Sequence, residues 1–411
     1  MSRLASARRC AITLALMFPR DLRFYLASRF CSGTAMTLMR AAIAWHVFAL
    51  SKSAFHLGLI GLVQFVPALG LTLIGGVVAD TFERRRIIML AQVVPLVCGS
   101  VLAVATQHGT ASLLLLYSLI LCIAVSAAFD NPARAALLPT LVTREAFPRA
   151  VTYASTVQAL AFVTGPAAGG LIIAGAGIAA AYATYAGLIV GSISGLAMLR
   201  PRAGEDVRRG VSLQAVREGL AFVRRRQVVL GCMTLDMFAV IFGGAAALLP
   251  IYANEILHVG ATGYGVLSAS LEAGALVSSL ALMTLPPIRH AGRALLIAVG
   301  IYGVATVLFG ASRSFPLSVA AYMLVGIADQ VSVVMRSTAI QLSTPDELRG
   351  RVSSVNFIFI GASNQLGAVE SGFVAALTNA PFAVVSGGIG CLVVLAVVAA
   401  TLPELRRYRT Q

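Results

Sequence analysis

Charge is what this chain of 411 residues has least of. Only 11% of its positions are Asp, Glu, Lys or Arg, and just 16 are acidic, whereas a soluble domain carries roughly 25% charged residues. A water-soluble enzyme of this composition is excluded. The six cysteines (Cys10, Cys31, Cys98, Cys122, Cys232 and Cys391) stand singly, with neither C-x-x-C nor zinc spacing, so they read as buried small hydrophobes rather than as a disulfide or metal framework. No G-x-x-x-x-G-K-[ST] loop occurs, which removes direct ATP drive. The five histidines (His46, His56, His108, His258 and His290) are dispersed, unlike the His and Asp clusters expected of an intramembrane enzyme. No cofactor, metal or enzymatic activity is expected.

Apolar residues take the place of the missing charge, at 58% of the chain. Spanning helices of about 20 residues accommodate such a composition. The apolar runs divide into twelve spans, at 24–50, 58–79, 87–106, 111–129, 150–174, 178–199, 227–253, 263–285, 294–312, 315–337, 353–376 and 381–402. An all-α polytopic membrane protein follows, with both termini on one side because the number of spans is even.

The net charge of +15 does not indicate nucleic acid, because its distribution follows the membrane. Arginine supplies 30 of the 31 basic residues, and 27 of the 31 fall on the side of the termini, among them Arg84 to Arg86, Arg134, Arg224 to Arg226, Arg336 and Arg351. Only Lys52 and Arg313 lie on the opposite side. Positive charge marks the cytoplasmic face, so both termini are cytoplasmic. The stretch from Cys10 to Phe18 is apolar but has no small-x-small cleavage site and is followed by Pro19-Arg20-Asp21. It reads as an interfacial lead-in helix. Residues 200–226 carry Val211, Leu213, Val216, Leu220 and Phe222 among arginines, which suits an amphipathic helix on the inner leaflet within a linker.

That linker separates related halves. A shift of 202 places Arg134 on Arg336, Glu145 on Glu347, Arg149 on Arg351, Gly165 on Gly367 and Gly170 on Gly372. Residues 1–199 and 227–411 therefore form two six-helix halves, an arrangement in which the substrate site lies near the midplane between the repeats.

Three motifs carry a family resemblance. Gly76-Val77-Val78-Ala79-Asp80-Thr81-Phe82-Glu83-Arg84-Arg85 resembles G-x-x-x-D-R-x-G-R-R, the signature between the second and third helices of the major facilitator superfamily, with Thr81 and Glu83 replacing the usual arginine and glycine. Gly165-Pro166-Ala167-Ala168-Gly169-Gly170 is similar to the antiporter core G-P-x-x-G-G. Phe129-Asp130-Asn131-Pro132-Ala133-Arg134 with Leu138-Pro139, and Leu348-Arg349-Gly350-Arg351-Val352, resemble the branch of bacterial enterobactin exporters and macrolide efflux proteins. The resemblance implies a multi-pass transporter of the bacterial inner membrane that exports a small amphipathic molecule, of drug or siderophore class, by alternating access in exchange for protons. An importer or an energy-independent facilitator of the same build is the nearest alternative. An intramembrane lipid-handling protein is a more distant one.

The residues supply chemistry of their own. Arg40, Asp236, Glu272, Asp329 and Glu370 lie well inside spans, where a charge facing lipid costs about 2.5–3.5 kcal/mol. They are expected to face an interior. Acids are cheaper to bury neutral, which suits groups that load and release protons, so Asp236, Glu370, Glu272 and Asp329 are the proton-coupling candidates. Bonds that merely lock helices together are the plainer reading. Asp236 falls about 15 Å from the cytoplasmic boundary, at the midplane, and is the expected principal proton site, with Glu370, about 26 Å from that boundary, as a second acid. Arg40 lies at a depth similar to Asp236 and is expected to serve it as counter-charge or to hold an anionic substrate group. Gln64, Phe238, Asn364 and Gln365 are further candidates for the substrate cavity, a core role being equally open for each. The gating set is Gly76, Asp80, Arg84, Arg85, Arg134, Gly165, Pro166, Gly169, Gly170 and Arg351. Within it, Asp80 is expected to latch onto the N-terminus of the eleventh helix, where the helix dipole favours a carboxylate.

Overall fold

A computed structural model describes residues 20–81, 83–143, 145–200, 220–284, 286 and 288–408. Both the Cys10–Phe18 lead-in and most of the expected linker helix lie outside these residues. The described chain is helical, with no strand among the described residues. In chain order the long helices are α1 (Arg20–Ser51), α2 (Ala54–Thr81), α3 (Arg84–Gln107) and α4 (Leu113–Leu141). Phe147–Ala197 then runs as one helical stretch broken at Gly177, whose φ of 86° only glycine adopts freely. The break yields α5 (147–176) and α6 (178–197). After the linker come α7 (Gln227–Phe242), α8 (Gly260–Thr284), α9 (Ala291–Ala311), α10 (Phe315–Leu342), α11 (Asp346–Leu377), α12 (Ala380–Thr401) and the short α13 (Pro403–Arg407).

Eight helical segments among the described residues are long and apolar enough to cross a membrane by length and composition alone. Arg20–Ser51, Ala54–Thr81 and Asp346–Leu377 occupy the places expected for the first, second and eleventh spans. Two helix starts at the outer side carry a capping side chain. Ser112 accepts from the Leu115 amide at 3.3 Å and Asn379 from the Phe382 amide at 2.9 Å, satisfying donors that a helix start leaves orphaned. The outward surface is apolar: Leu90 and Leu114 remain 71% and 77% exposed, a face for hydrocarbon rather than water.

Two features depart from the sequence reading. The fourth span, expected to end at 129, continues to Leu141 through Pro132 and Pro139. This carries Arg134 into the helix, where it is 5% exposed, and Arg336 is likewise interior to α10 at 2%. Neither is a loop charge on the cytoplasmic surface. The seventh span is also not a continuous helix. Beyond Phe242 it unwinds at Gly243 and Gly244, resumes as a 3₁₀ turn over Ala245–Leu248, and ends in a π-helical turn over Tyr252–Ile256.

Three apolar clusters make up the core. One joins the cytoplasmic ends of the first half, including Leu22, Ile88, Leu137 and Ala154. Another does the same in the second half, with Val229, Leu295, Ile340 and Val352. The third lies at the opposite, outer ends and includes residues of both halves, Leu38, Phe48 and Tyr182 with Tyr252, Leu267 and Tyr322. Apolar burial thus unites the halves at the outer side and treats them separately at the inner side.

Candidate functional site: the seal between the halves and the buried charges beneath it

Small residues set how closely the halves approach. Gly170 of α5 lies so near Gly265 of α8 that a Cβ on Gly170 would sit 2.5 Å from the Gly265 Cα and 2.8 Å from the Ala261 carbonyl oxygen. Gly58 of α2 faces Gly372 of α11 in the same manner, and a Cβ on Gly61 would lie 2.7 Å from the Gln365 carbonyl oxygen. Aromatic side chains cover both crossings. Tyr264 of α8 donates its hydroxyl to the Ala41 carbonyl of α1 at 3.1 Å and its ring meets Trp45 at 5.3 Å, while Phe55 meets Phe373 at 4.8 Å. These contacts form the outer seal. Nearer the cytoplasmic end of α11, a Cβ on Gly361 would meet nothing within 4 Å.

The segment that resembles the antiporter core lies at this contact. Gly165, Pro166, Gly169 and Gly170 are all buried on α5. Gly165 lies against Thr37 and Leu38 of α1, Gly169 against Leu38 and Ala41, and Gly170 against α8. Without side chains at these positions α5 can wedge between α1 and α8.

Toward the cytoplasmic side of these contacts, Arg40 of α1 is exposed and acts electrostatically on Glu272 and Tyr264 of α8, across the boundary between the halves. Glu272, half-buried, is two turns along α8 from Tyr264. Helices α8 and α10 cross closely beside it. A Cβ on Gly326 of α10 would strike the Leu271 backbone, and one on Gly274 would lie 3.0 Å from the Ile327 amide nitrogen. The crossing brings Asp329 into the field of Glu272. On the opposite side, Gln64 and Gln365 are half-buried at the α2–α11 crossing. Asn364 is exposed and donates to the Ile360 carbonyl of its own helix at 2.9 Å.

Asp236 has a partner that sequence reasoning misses. It forms a buried ion pair with Arg336 of α10, not with Arg40, and the Nε of Arg336 has no hydrogen-bond partner. Repeat symmetry is the available signal, since Arg336 falls on Arg134. In the first half Arg134 binds Asp130 Oδ2 at 2.7 Å and donates to Ser28 at 3.5 Å and Ser192 at 3.3 Å. Ser28 and Ser192 themselves lie 2.8 Å apart. A largely enclosed cavity of about 10 Å³ adjoins Asp236, lined also by Tyr302, Asp329 and Ser332 together with Val240 and Val299. That is close to the minimum for one water.

The remaining candidates are scattered. Glu370 accepts from Ser371 at 3.2 Å, and Gly244 at the unwound point of α7 sits directly over Ser371. Phe238 stacks on Phe242 at 6.1 Å, and Phe242 reaches Gly390 of α12, so this pair turns toward the interior of the second half. Arg85 donates to the Ala197 carbonyl at 2.6 Å and Arg86 pairs with Glu83 at 2.6 Å. Arg84 is half-buried beside them and Arg351 exposed near the start of α11. Gly76 and Asp80 belong to α2, but their side chains lie outside the described ones.

A family model described as a transmembrane secretion effector, of major facilitator type, matches residues 22–410. The chain belongs to this family of major facilitator transporters. It is 26% identical over 391 residues to the enterobactin exporter of Escherichia coli O139:H28 (strain E24377A / ETEC), covering 94% of this chain and 93% of that one. The fold also resembles a solved nucleoside transporter, at a TM-score of 0.72 and 12% identity over 93% of this chain and 99% of that one. A bacterial homologue of the human lysosomal transporter Spinster, inward-facing and occupied, matches at 0.70 and 14%, covering 96% and 98%. A major facilitator transporter is not an enzyme, which agrees with the missing catalytic motifs.

Proposed function

We propose that this transporter exports a small amphipathic molecule, of drug or siderophore class, across the bacterial inner membrane by alternating access in exchange for protons. The observation that carries the reading is the layout beneath the outer seal. Arg40 from the first half faces Glu272 from the second, with Gln64 and Gln365 at the other crossing, so groups of both halves border one space. A substrate held there touches both repeats, and rocking of one half against the other would expose it first to one side and then to the other. With the glycine crossings in contact, the outer side is closed.

Protons enter the reading through the acids of the second half. Asp236, Glu272, Asp329 and Glu370 all lie at membrane depth, where a carboxyl group that exchanges a proton changes the local charge by one unit and with it the preferred arrangement of its partners. Similarity to an enterobactin exporter supports the outward direction and the size class of the cargo. Counterflow of labelled siderophores and amphipathic drugs into proteoliposomes tests the transport claim. Exchange of at least one such compound, lost in Arg40→Ala, is expected; absence of exchange for every compound of both classes would refute the substrate assignment.

A further inference from the structure

The two repeats differ in their buried charge. Under the shift of 202, Arg134 falls on Arg336, Asp130 on Ser332 and Ala127 on Asp329. The first half thus holds one cation and one acid, Arg134 with Asp130, one turn apart on the same helix. In the second half the acid at that turn has become Ser332. Two acids replace it, Asp236 arriving from α7 and Asp329 one turn further along α10. Asp329, Ser332 and Arg336 are spaced i, i+3, i+7 and so share one face of α10. Asp236 and Asp329 line the same cavity; Arg336 is paired with Asp236, and among the described residues no ion pair joins Asp329 to a cation of its own.

We infer that Asp236, Arg336 and Asp329 form an internal proton store, in which one guanidinium and one proton are divided between two carboxyl groups inside the second half. This deepens the proton-exchange reading above, on which its role in transport rests, by placing the proton away from the space between the halves. An acid buried beside a paired acid has no second cation to neutralise it, so one of the two carries the proton as a neutral acid. When that proton leaves to water, both carboxylates compete for Arg336. When it returns, an O–H bond forms on whichever acid Arg336 has released. The groups that face this cluster from the surrounding helices are Tyr302 of α9, Tyr322 of α10 and Glu272 of α8, with the thiols of Cys232 and Cys391 behind them. None is a second cation.

The store also adjoins a point where α7 can bend. Tyr302 lines the cavity and donates its hydroxyl to the Gly243 carbonyl at 3.3 Å, where α7 unwinds. Gly244 beside it rests on Gly367 and Ser371 of α11. Exchange of Arg336 between an acid on α7 and one on its own helix changes how α7 is tethered, next to the unwound residues. Proton and substrate then act on one another through helix position rather than by competing for one site.

Infrared difference spectroscopy of the full chain in lipid nanodiscs between neutral and alkaline pH, without substrate, tests this directly. The wild type is expected to show a protonated carboxyl band that disappears at alkaline pH. Asp329→Asn removes that band, and so does Asp236→Asn, because in either variant the remaining acid pairs with Arg336. Asp329→Glu, which keeps the acid, shifts the band and serves if the Asn variants fold poorly. Glu272→Gln and Glu370→Gln leave it in place. A band that survives both Asn variants, or that is lost in Glu272→Gln or Glu370→Gln, overturns the proposal. Should the band follow these expectations while wild-type transport ignores an imposed pH gradient, the store stands and the proton-exchange reading fails instead.

Discussion

Gly170→Ala is the perturbation that addresses the seal most sharply. The added methyl would sit 2.5 Å from the Gly265 Cα and 2.8 Å from both the Gly265 nitrogen and the Ala261 oxygen, whereas non-bonded carbons prefer about 3.5–4.0 Å. All three obstacles are backbone, so no side chain can swing aside. Helices α5 and α8 must separate by about 1 Å, and overpacking of this kind costs about 1–3 kcal/mol. That cost falls only on arrangements in which the two helices touch. If the outward-open state parts them, the equilibrium shifts toward it by about 5–150-fold. Ala also stabilises a helix over Gly by about 1 kcal/mol, but equally in both states, so this term cancels from the shift and appears only in thermal stability. Spin labels at His108→Cys and Arg313→Cys, exposed residues on outer connections of the two halves, in a background lacking the native cysteines, read the separation by pulsed electron resonance. The variant should populate longer distances. An unchanged distance distribution together with unchanged stability would show that α5 and α8 do not form the seal described.

Tyr264→Phe removes the hydroxyl bond to the Ala41 carbonyl, worth about 0.5–1.5 kcal/mol, and should shift the same labels toward the open distances by about 2- to 13-fold; no shift would remove Tyr264 from the seal. Asp130→Asn strands Arg134, whose other contacts are the hydroxyls of Ser28 and Ser192, and loss of one partner of a buried pair costs about 3–5 kcal/mol. Thermal unfolding in detergent should therefore drop steeply, and an unaltered melting temperature would refute the pairing. Asp236→Asn should cost less than the double variant Asp236→Asn/Asp329→Asn, which leaves Arg336 with no acid; equal melting temperatures would deny that Asp329 substitutes. Asp80→Asn should slow transport with little change in stability, as a helix-terminal carboxylate interaction of about 0.3–1 kcal/mol is lost; wild-type rates would deny Asp80 the latch.

The spans are legible in the sequence because bilayer thickness imposes a length on every apolar run, and the charged connections orient them. Gly177 lies in the turn between the fifth and sixth spans, and the internal repeat alone pairs Arg134 with Arg336. Proline is what misleads. Pro132 and Pro139 suggest a connection, yet the fourth helix runs through both, as membrane helices tolerate when neighbours satisfy the freed backbone groups. Arg134 consequently reads as a surface charge, as does Arg336 at the end of its own apolar run, although both are buried. Gly243-Gly244 does signal a break in the seventh span, but an unbroken apolar run conceals it. The pairing of Asp236 with Arg336, one hundred positions away, follows from the packing of α7 on α10 and leaves no periodic trace. Equal depth suggests Arg40 as the partner instead, because depth says nothing about which face of a helix a side chain occupies. Glu272 of α8 is instead the acid on which Arg40 acts.

Exchange of substrate for protons is tested most directly in proteoliposomes holding labelled substrate at equal concentration inside and out, then given an imposed pH gradient, a design that works regardless of how the protein is oriented. Proton exchange predicts net accumulation on the acidic side, reversal when the gradient is reversed, and collapse when a protonophore removes it. Equal concentrations maintained under a gradient of either sign, in vesicles that exchange the substrate rapidly, would contradict it.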